Sequence, residues 1–347
     1  MKIGGLDVGR EYRPFIVAEL SGNHAQSFEK AVAMVEAAAQ AGVQAVKLQT
    51  YTADTMTLDV EGDGFRISDP ASPWDGQSLY QLYRQASTPW EWHAPLFRRA
   101  RELGLVAFSS PFDSTAVDFL ESLDAPAYKI ASFENNDLPL IEKVARTGKP
   151  VIISTGMAAE EEIRAAVATA RAAGCKDLVL LKCTSTYPAS PGDTNVSTIP
   201  HMRQAFGCEV GLSDHTLGIG VAAASVALGA VMVEKHFTLS RADGGVDMAF
   251  SLEPAEMAQL VTETTRAWQS VGEVRYGATS AEDVNTEYRR SIYVVKDVAA
   301  GEILTAENIR CIRPGHGLAP KHWDEVLGRK AARALRKGTA LAWELLD

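Results

Sequence analysis

The sequence predicts a (β/α)8 barrel followed by a compact C-terminal module. Three observations predict it. Short apolar runs alternate with stretches of 3.6-residue periodicity eight times over about 250 residues. All eight apolar runs end in polar or charged residues, as expected where a barrel builds a site at the C-terminal face of its strands. After Gln269 the periodicity stops, and a polar segment leads into a turn-rich tail of about 60 residues. An open doubly wound sheet is the rival, but no GxGxxG follows the first run and the count of eight favours closure.

The expected strands are 15–20, 45–50, 106–111, 127–132, 151–156, 179–185, 209–216 and 231–238. The helical stretches SFEKAVAMVEAAAQAG and AEEEIRAAVATARAAG each close on a glycine, the usual C-terminal stop. Ser27 and Ser114 are the expected N-caps. Residues 51–88 are too long for a simple loop and contain WDG and LYQLY, so they read as an insertion over the top of the barrel. The longest uncharged run, 219–233, reads as a buried helix running into a buried strand; it is too short to span a bilayer. The barrel is expected over 1–270, a linker over 271–286 and the module over 287–347. In the module, DVAAGE and LTAENI read as short strands, followed by the turn RPGHG and by KAARALRKGTAL. A unit that small is marginal alone and docks against something.

Composition narrows the function. Of 347 residues, 46% are hydrophobic, which is ample to fold. Lys plus Arg is 34 and Asp plus Glu is 44, a net charge of −10. Nucleic acid and anionic membranes, which need a basic face, are therefore not expected partners. An anionic substrate requires a locally positive pocket. Cys175, Cys183, Cys208 and Cys311 form no CxxC pair, so neither a zinc knuckle nor a disulfide framework is expected. Reduced thiols in a cytoplasm are the expectation, and MKIGGLDVGREYRPF has no apolar targeting core.

The strand ends carry the chemistry. Lys47, Lys129 and Lys182 alternate with apolar neighbours, so all three are expected to point into one mouth. Converging cations call for a phosphate or carboxylate, and the hydroxyls of Ser132, Ser154 and Ser213 with the amides around Gly156 would complete a cradle. Two other readings stay open: the lysines pair with Glu19 and Glu234, or one lysine forms a Schiff base. His215 and His236, on adjacent strands, can share a divalent ion, with Glu19, Asp214, Glu234 and Asp247 nearby. His24, His93 and His322 are expected to pack or hydrogen-bond. Arg313, in RPGHG, reads from its residues as part of a surface turn.

IVAELSGNH, VKLQT, SSPFD, AYKIAS, ISTGM, CTSTYP, GLSDHT and EKHF occur in that order, and IRPGHG follows in the tail. In these motifs the chain resembles the sialic acid synthase family, over essentially its whole length. The resemblance implies a TIM barrel with a small C-terminal antifreeze-like (SAF) domain. It implies a cytoplasmic transferase that condenses phosphoenolpyruvate with an aminosugar aldehyde to a nonulosonic acid, releasing phosphate by C–O cleavage. His215 and His236 would hold a divalent ion, manganese before magnesium or cobalt. Lys129, Ser132, Ser154 and Ser213 would grip phosphoenolpyruvate. Glu19, Lys47, Lys129 and Arg313 would be catalytic, and Gln49, Ser110, Lys182, Ser185, Tyr187, Glu234 and Asp247 would line the substrate pocket. Arg313 would reach the sugar site of the partner in a domain-swapped homodimer, which replaces the surface-turn reading.

Within the family, QTYTADTMTLD and WDGQSLYQLYRQASTPWEWH are similar to the insertion of the pseudaminic acid synthases. The sixth strand reads LLKCTS, where sialic acid synthases proper carry His and Asn at the positions of Lys182 and Ser185. The resemblance therefore implies a 2,4-diacetamido-2,4,6-trideoxy hexose of the altrose type rather than N-acetylmannosamine. The alternatives are a legionaminate or N-acetylneuraminate synthase. A non-enzymatic glycan- or ice-binding protein would leave the charged barrel mouth without a purpose.

Overall fold

A computed structural model describes residues 1–69 and 74–347. They form two compact units, Met1–Gly272 and Glu273–Asp347. The first begins with a hairpin, β1 (Lys2–Ile3) and β2 (Leu6–Asp7), that two-residue strands leave invisible to any periodicity. Its Ile3 and the following Val8 join the cluster inside the barrel.

Eight parallel strands then close on themselves: β3 (Phe15–Glu19), β4 (Ala45–Thr50), β5 (Val106–Pro111), β6 (Tyr128–Ile130), β7 (Val151–Ser154), β8 (Leu178–Cys183), β9 (Glu209–Asp214) and β10 (Met232–His236). The closing pair is β10 against β3, with His236 opposite Glu19. Several strands stop one to two residues before the expected ends, because the polar residues there have left the ladder to form loops. Helices cover the outside. Ser27 caps Phe28–Gln40 through Lys30 N, and Gly42 follows with φ +85°. At Ser114–Ser122 the cap is Asp113, not Ser114: its carboxylate accepts from the amides of Thr115 and Ala116 and complements the helix dipole. The uncharged run becomes helix Gly220–Ala227 followed by β10, as expected. No helix among the described residues is long and apolar enough to cross a membrane.

Strand alternation divides each strand between two layers. Phe15, Val17, Ala45, Phe108, Ala127, Ile152, Val179, Leu181 and Met232 fill the interior. Ile16, Val46, Leu48, Ile130, Leu180, Val210 and Val233 face the helices. Counting on in steps of two, Glu19, Lys47, Gln49, Ser110, Lys129, Ser154, Cys183, Ser213, Glu234 and His236 fall on the inner face. Lys182, Asp214 and Lys235 fall on the outer one.

This corrects the expected place of Asp214. It is paired in register with Lys235, and Lys235 Nζ sits 2.7 Å from its Oδ2, with both side chains fully buried beneath the helices. The carboxylate is a structural counter-ion. Asp214→Asn is expected to strand a buried ammonium and cost about 3–5 kcal/mol in urea unfolding. An unchanged unfolding midpoint would show that the pair contributes nothing.

The insertion lies against the loops at the C-terminal face. Trp74 Nε1 donates to Val246 O, Gln26 reaches the carbonyls of Gln85 and Ser87, and Tyr51 packs edge-on to Tyr83 and Phe112. Residues 70–73 of the insertion lie outside the described residues.

In the second unit, 273–282 contains neither helix nor strand. Its two strands are β11 (Ser291–Val294) and β12 (Ile309–Ile312), antiparallel, over a core that includes Ile292, Val294, Val298, Leu304, Ile309 and Leu341. DVAAGE is not a strand, and LTAENI is one only at its last residue, Ile309, which starts β12. Val298 of the first and Leu304 of the second are anchors within turns, and Gly301 at φ +79° breaks the extended run.

Candidate active site

The inner residues at the top of the barrel form one buried charged layer. Lys47 Nζ lies 3.1 Å from Glu19 Oε2, 3.2 Å from Glu234 Oε1 and 3.2 Å from Ser110 Oγ. Gln49 donates to Glu19 Oε1 at 2.9 Å. Lys129 Nζ donates to Ser154 Oγ at 2.6 Å and is 4.0 Å from Glu234 Oε1, which also accepts from Ser213 Oγ at 3.4 Å. Two lysines thus face two carboxylates. Lysine–carboxylate pairing, one of the readings left open, accounts for Lys47; Lys129 stands farther from its acid.

The two acids are driven apart. Burial pushes the Glu19 carboxyl up, and Lys47 only partly offsets it. Burial acts on Glu234 in the same sense, but Lys129 and Lys47 together outweigh it and hold that carboxyl below the usual range. Burial lowers the Lys129 ammonium. Neighbouring titratable groups with opposite shifts are the arrangement that acid–base chemistry uses.

Beside Lys129 the loops form a cradle. Gly156 N donates to Ser132 Oγ at 3.1 Å, and Asn135 Nδ2 holds Gly156 O at 3.2 Å. A Cβ on Gly156 would come within 2.1 Å of Ser185 Oγ and 2.7 Å of Ser132 Oγ. Only glycine lets the two hydroxyls approach this strand end. An ammonium, several hydroxyls and a tight backbone turn suit a phosphate or carboxylate.

On the other side of the mouth the rings of His215 and His236 lie 5.3 Å apart, enclosed by Tyr187 at 4.5 Å from His215 and Phe250 at 5.0 Å from His236. His215 Nδ1 lies 2.9 Å from Thr184 O, a carbonyl that can only accept, so Nδ1 carries a proton and Nε2 is the nitrogen available to a metal. His236 Nδ1 is buried without a hydrogen-bond partner, 3.7 Å from Asp247 Oδ2, and burial keeps the ring neutral. Asp247 is held by the Ser21 hydroxyl. No group of three or more His, Cys, Asp or Glu side chains among the described residues is arranged to hold a metal. Burial opposes a charge on His215, but Cys183 and the Thr184 carbonyl outweigh it and raise that ring, while His236 stays neutral. Two adjacent imidazoles, one with an orphaned buried nitrogen, fit a divalent ion completed by water or substrate, which would take the place of the His215 Nε2 proton.

Lys182 is not the third inward cation. It lies on the helix-facing side of β8, half-buried, with Nζ donating to Cys183 O at 2.9 Å. Cys183 takes the inner position, with Sγ 3.7 Å from Ser185 Oγ and 3.9 Å from His215 Nδ1. Burial opposes its ionisation, but His215 outweighs burial and brings the thiol to about 6. The sequence assigns Cys183 only as one of four reduced thiols; counting parity from Val179 places it on the inner face. The reading also stopped at Ser132 and so missed Glu134 and Asn135. Burial raises the half-buried Glu134 carboxyl to about 7 against the pull of Lys129, and its Oε2 has no hydrogen-bond partner.

His24 and His93 are structural, as expected: His24 Nε2 meets Thr88 Oγ1 at 3.0 Å and His93 Nε2 meets Thr50 Oγ1 at 2.8 Å. Burial lowers each to about 4. His322 pairs with Glu325 at 3.0 Å. Around the mouth, Phe133, Met157 and Leu217 stand 60%, 64% and 63% exposed on the loops after β6, β7 and β9. Arg313 is exposed on the second unit, in a turn pinned by Ser291 Oγ, which donates to Pro314 O and accepts from Gly317 N.

Chemistry of this kind belongs to enzymes that take an anionic substrate into a barrel mouth. The chain belongs to the NeuB family: that family's profile matches residues 34–276, and the SAF domain profile matches residues 289–347. It is 44% identical over 331 residues to the pseudaminic acid synthase of Helicobacter pylori, covering 95% of this chain and 96% of that one. It is 41% identical over 341 residues to the pseudaminic acid synthase of Campylobacter jejuni, covering 98% of each. Among solved structures, the N-acetylneuraminic acid synthetase of Leptospira borgpetersenii superposes with a TM-score of 0.73 at 30% identity, covering 83% of this chain and 95% of that one. The family and the enzyme class that the ordered motifs imply are borne out.

Proposed function

We propose that the chain is a pseudaminic acid synthase. It joins phosphoenolpyruvate to a 2,4-diacetamido-2,4,6-trideoxy altrose and releases phosphate by C–O cleavage. The observation that carries the reading is the near-full-length likeness to two pseudaminic acid synthases.

The residues divide the work. Lys129, Ser132, Ser154, Ser185 and Ser213 hold the anionic groups of phosphoenolpyruvate at the cradle, so that its enol carbon faces the sugar aldehyde. The new carbon–carbon bond leaves positive charge on the adjacent carbon. Glu234, kept ionised between the two lysines, stabilises that charge. Water adds there, and phosphate departs with the bridging oxygen. Glu19, with its raised carboxyl oriented by Lys47 and Gln49, handles the proton of that water. His215 and His236, with Asp247 alongside, would hold a divalent ion, manganese before magnesium or cobalt; once bound it supplies Lewis-acid polarisation of the aldehyde oxygen. Tyr187, Gln49, Ser110 and Asp247 line the sugar end. Lys182, on the outer face, supports the β8 end rather than the anion.

The chain is read as a homodimer in which Arg313 serves the partner's mouth. The exposed Phe133, Met157 and Leu217 support a cover over that mouth, since an apolar rim of this kind marks an interaction site. Four free thiols support a cytoplasmic setting.

The test is substrate choice. The diacetamido altrose is expected to exceed N-acetylmannosamine in kcat/KM by about a hundredfold or more, because a site built for a second acetamido group leaves its polar groups unpaired with the smaller sugar. The product is identified by mass spectrometry. Equal efficiencies would remove the sugar assignment and leave the family. Preference for the legionaminate precursor would redirect it within the family.

A further inference from the structure

The loop after β3 holds Ser21 at φ +45°, a left-handed conformation that a serine adopts only against the crowding of its own Cβ. The residue is wholly buried. Two contacts fix its hydroxyl. Gly22 N donates to Ser21 Oγ at 2.5 Å, so the oxygen takes up an amide and its one hydrogen is left for another acceptor. That acceptor is Asp247 Oδ2.

The same carboxylate oxygen faces the histidine pair. Asp247 Oδ2 lies 3.7 Å from His236 Nδ1, beyond hydrogen-bond reach, and Nδ1 has no hydrogen-bond partner. A small turn of the carboxylate would close that gap and occupy the nitrogen that a metal needs. The Ser21 hydroxyl holds Oδ2 short of that contact.

The loop itself is tied on two sides. A Cβ at Gly22 would stand 3.0 Å from Cα, Cβ and O of Ala86, so the loop already touches the insertion. Asn23 Nδ2 donates to Phe237 O at 2.9 Å and to Ser251 Oγ at 2.8 Å, and Ser251 Oγ donates to Asp247 O at 2.6 Å. The backbone of Asp247 is thus fixed through Asn23, and the direction of its carboxylate is left for Ser21 to set. Strain of this kind persists only where surrounding contacts over-determine it, and it gathers at functional sites.

We infer that Ser21 is a positioning residue: it holds the Asp247 carboxylate off His236 and so keeps His236 Nδ1 open to a divalent ion. The inference rests on the reading that His215 and His236 hold that ion.

Calorimetric titration of the metal-stripped, full-length protein with Mn²⁺ tests it, beside urea unfolding without metal. Ser21→Ala removes the hydroxyl and keeps the strain; Ser21→Gly removes both. Each is expected to weaken Mn²⁺ binding about tenfold or more. Ser21→Gly should nevertheless unfold at the wild-type urea concentration or above it, since glycine adopts this φ freely. A serine with a merely structural role would lose stability and keep the affinity. In an Asp247→Ala background the loss on Ser21→Ala should vanish, because no carboxylate is left to close on His236. His215→Ala should abolish the binding, which assigns the measured site. Affinity unchanged in both Ser21 variants, or a loss that persists undiminished without Asp247, overturns the inference alone. A wild type that binds no Mn²⁺ removes the metal site, and the inference with it.

Discussion

Exhaustive chelation is expected to silence the enzyme, lowering turnover at least about a thousandfold, with Mn²⁺, Co²⁺ or Mg²⁺ restoring it. The geometry gives the reason. The proton on His215 Nδ1 is committed to Thr184 O, leaving Nε2 as a donor to a metal, and His236 Nδ1 is buried with nothing to bind. An imidazole nitrogen desolvated without a partner costs free energy, which a bound cation recovers. His215→Ala and His236→Ala should reach the same floor while keeping wild-type circular dichroism and unfolding midpoints, because neither ring belongs to the apolar core. Phosphate release from phosphoenolpyruvate in the presence of the sugar is the assay. Full activity after chelation would reject the metal and revive the Schiff-base lysine. Lys129 is then the candidate, since burial already lowers its ammonium. Borohydride added with substrate reduces an imine to a stable adduct and separates the two cases.

The second large effect concerns Arg313. Arg313→Ala and His215→Ala should each be inactive when expressed alone. If Arg313 serves the partner's barrel, co-expression restores activity. A mixed dimer contains one barrel with intact His215 facing an intact Arg313. With random pairing about half the dimers are mixed, and one of their two sites works, so recovery approaches roughly a quarter of wild type. An arginine acting on its own barrel gives no recovery, because no chain carries both groups. A fully active monomer would reject the shared site as well.

Most of the barrel was legible because parallel strands buried on both faces read as continuous apolar runs between amphipathic helices. The mouth was legible residue type by residue type, but not always face by face. Lys182 and Cys183 are neighbours, and the reading gave the inward position to the charged one. Parity counted from Val179 and Leu181 gives it to the thiol. The same rule separates Asp214 from its neighbours Ser213 and His215. Glu134 and Asn135 went unnoticed because they end a single 3-10 turn, Ser132–Glu134, too short for any period to show which way a side chain points. In the second unit, Val298 and Leu304 mimic strand anchors, yet each belongs to a turn whose backbone pairs only at isolated bridges.

Gly156 bears on any attempt to move this chemistry elsewhere. The space that Ser132 and Ser185 share at that point exists because one carbon atom is missing. A graft of Lys129, Ser132, Ser154 and Ser185 onto another barrel would carry the functional groups and not the vacancy between them. The transferable unit is the β7 strand end with its turn, taken together with the two loops that converge on it. A scaffold with any side chain at that position begins with the binding volume already filled.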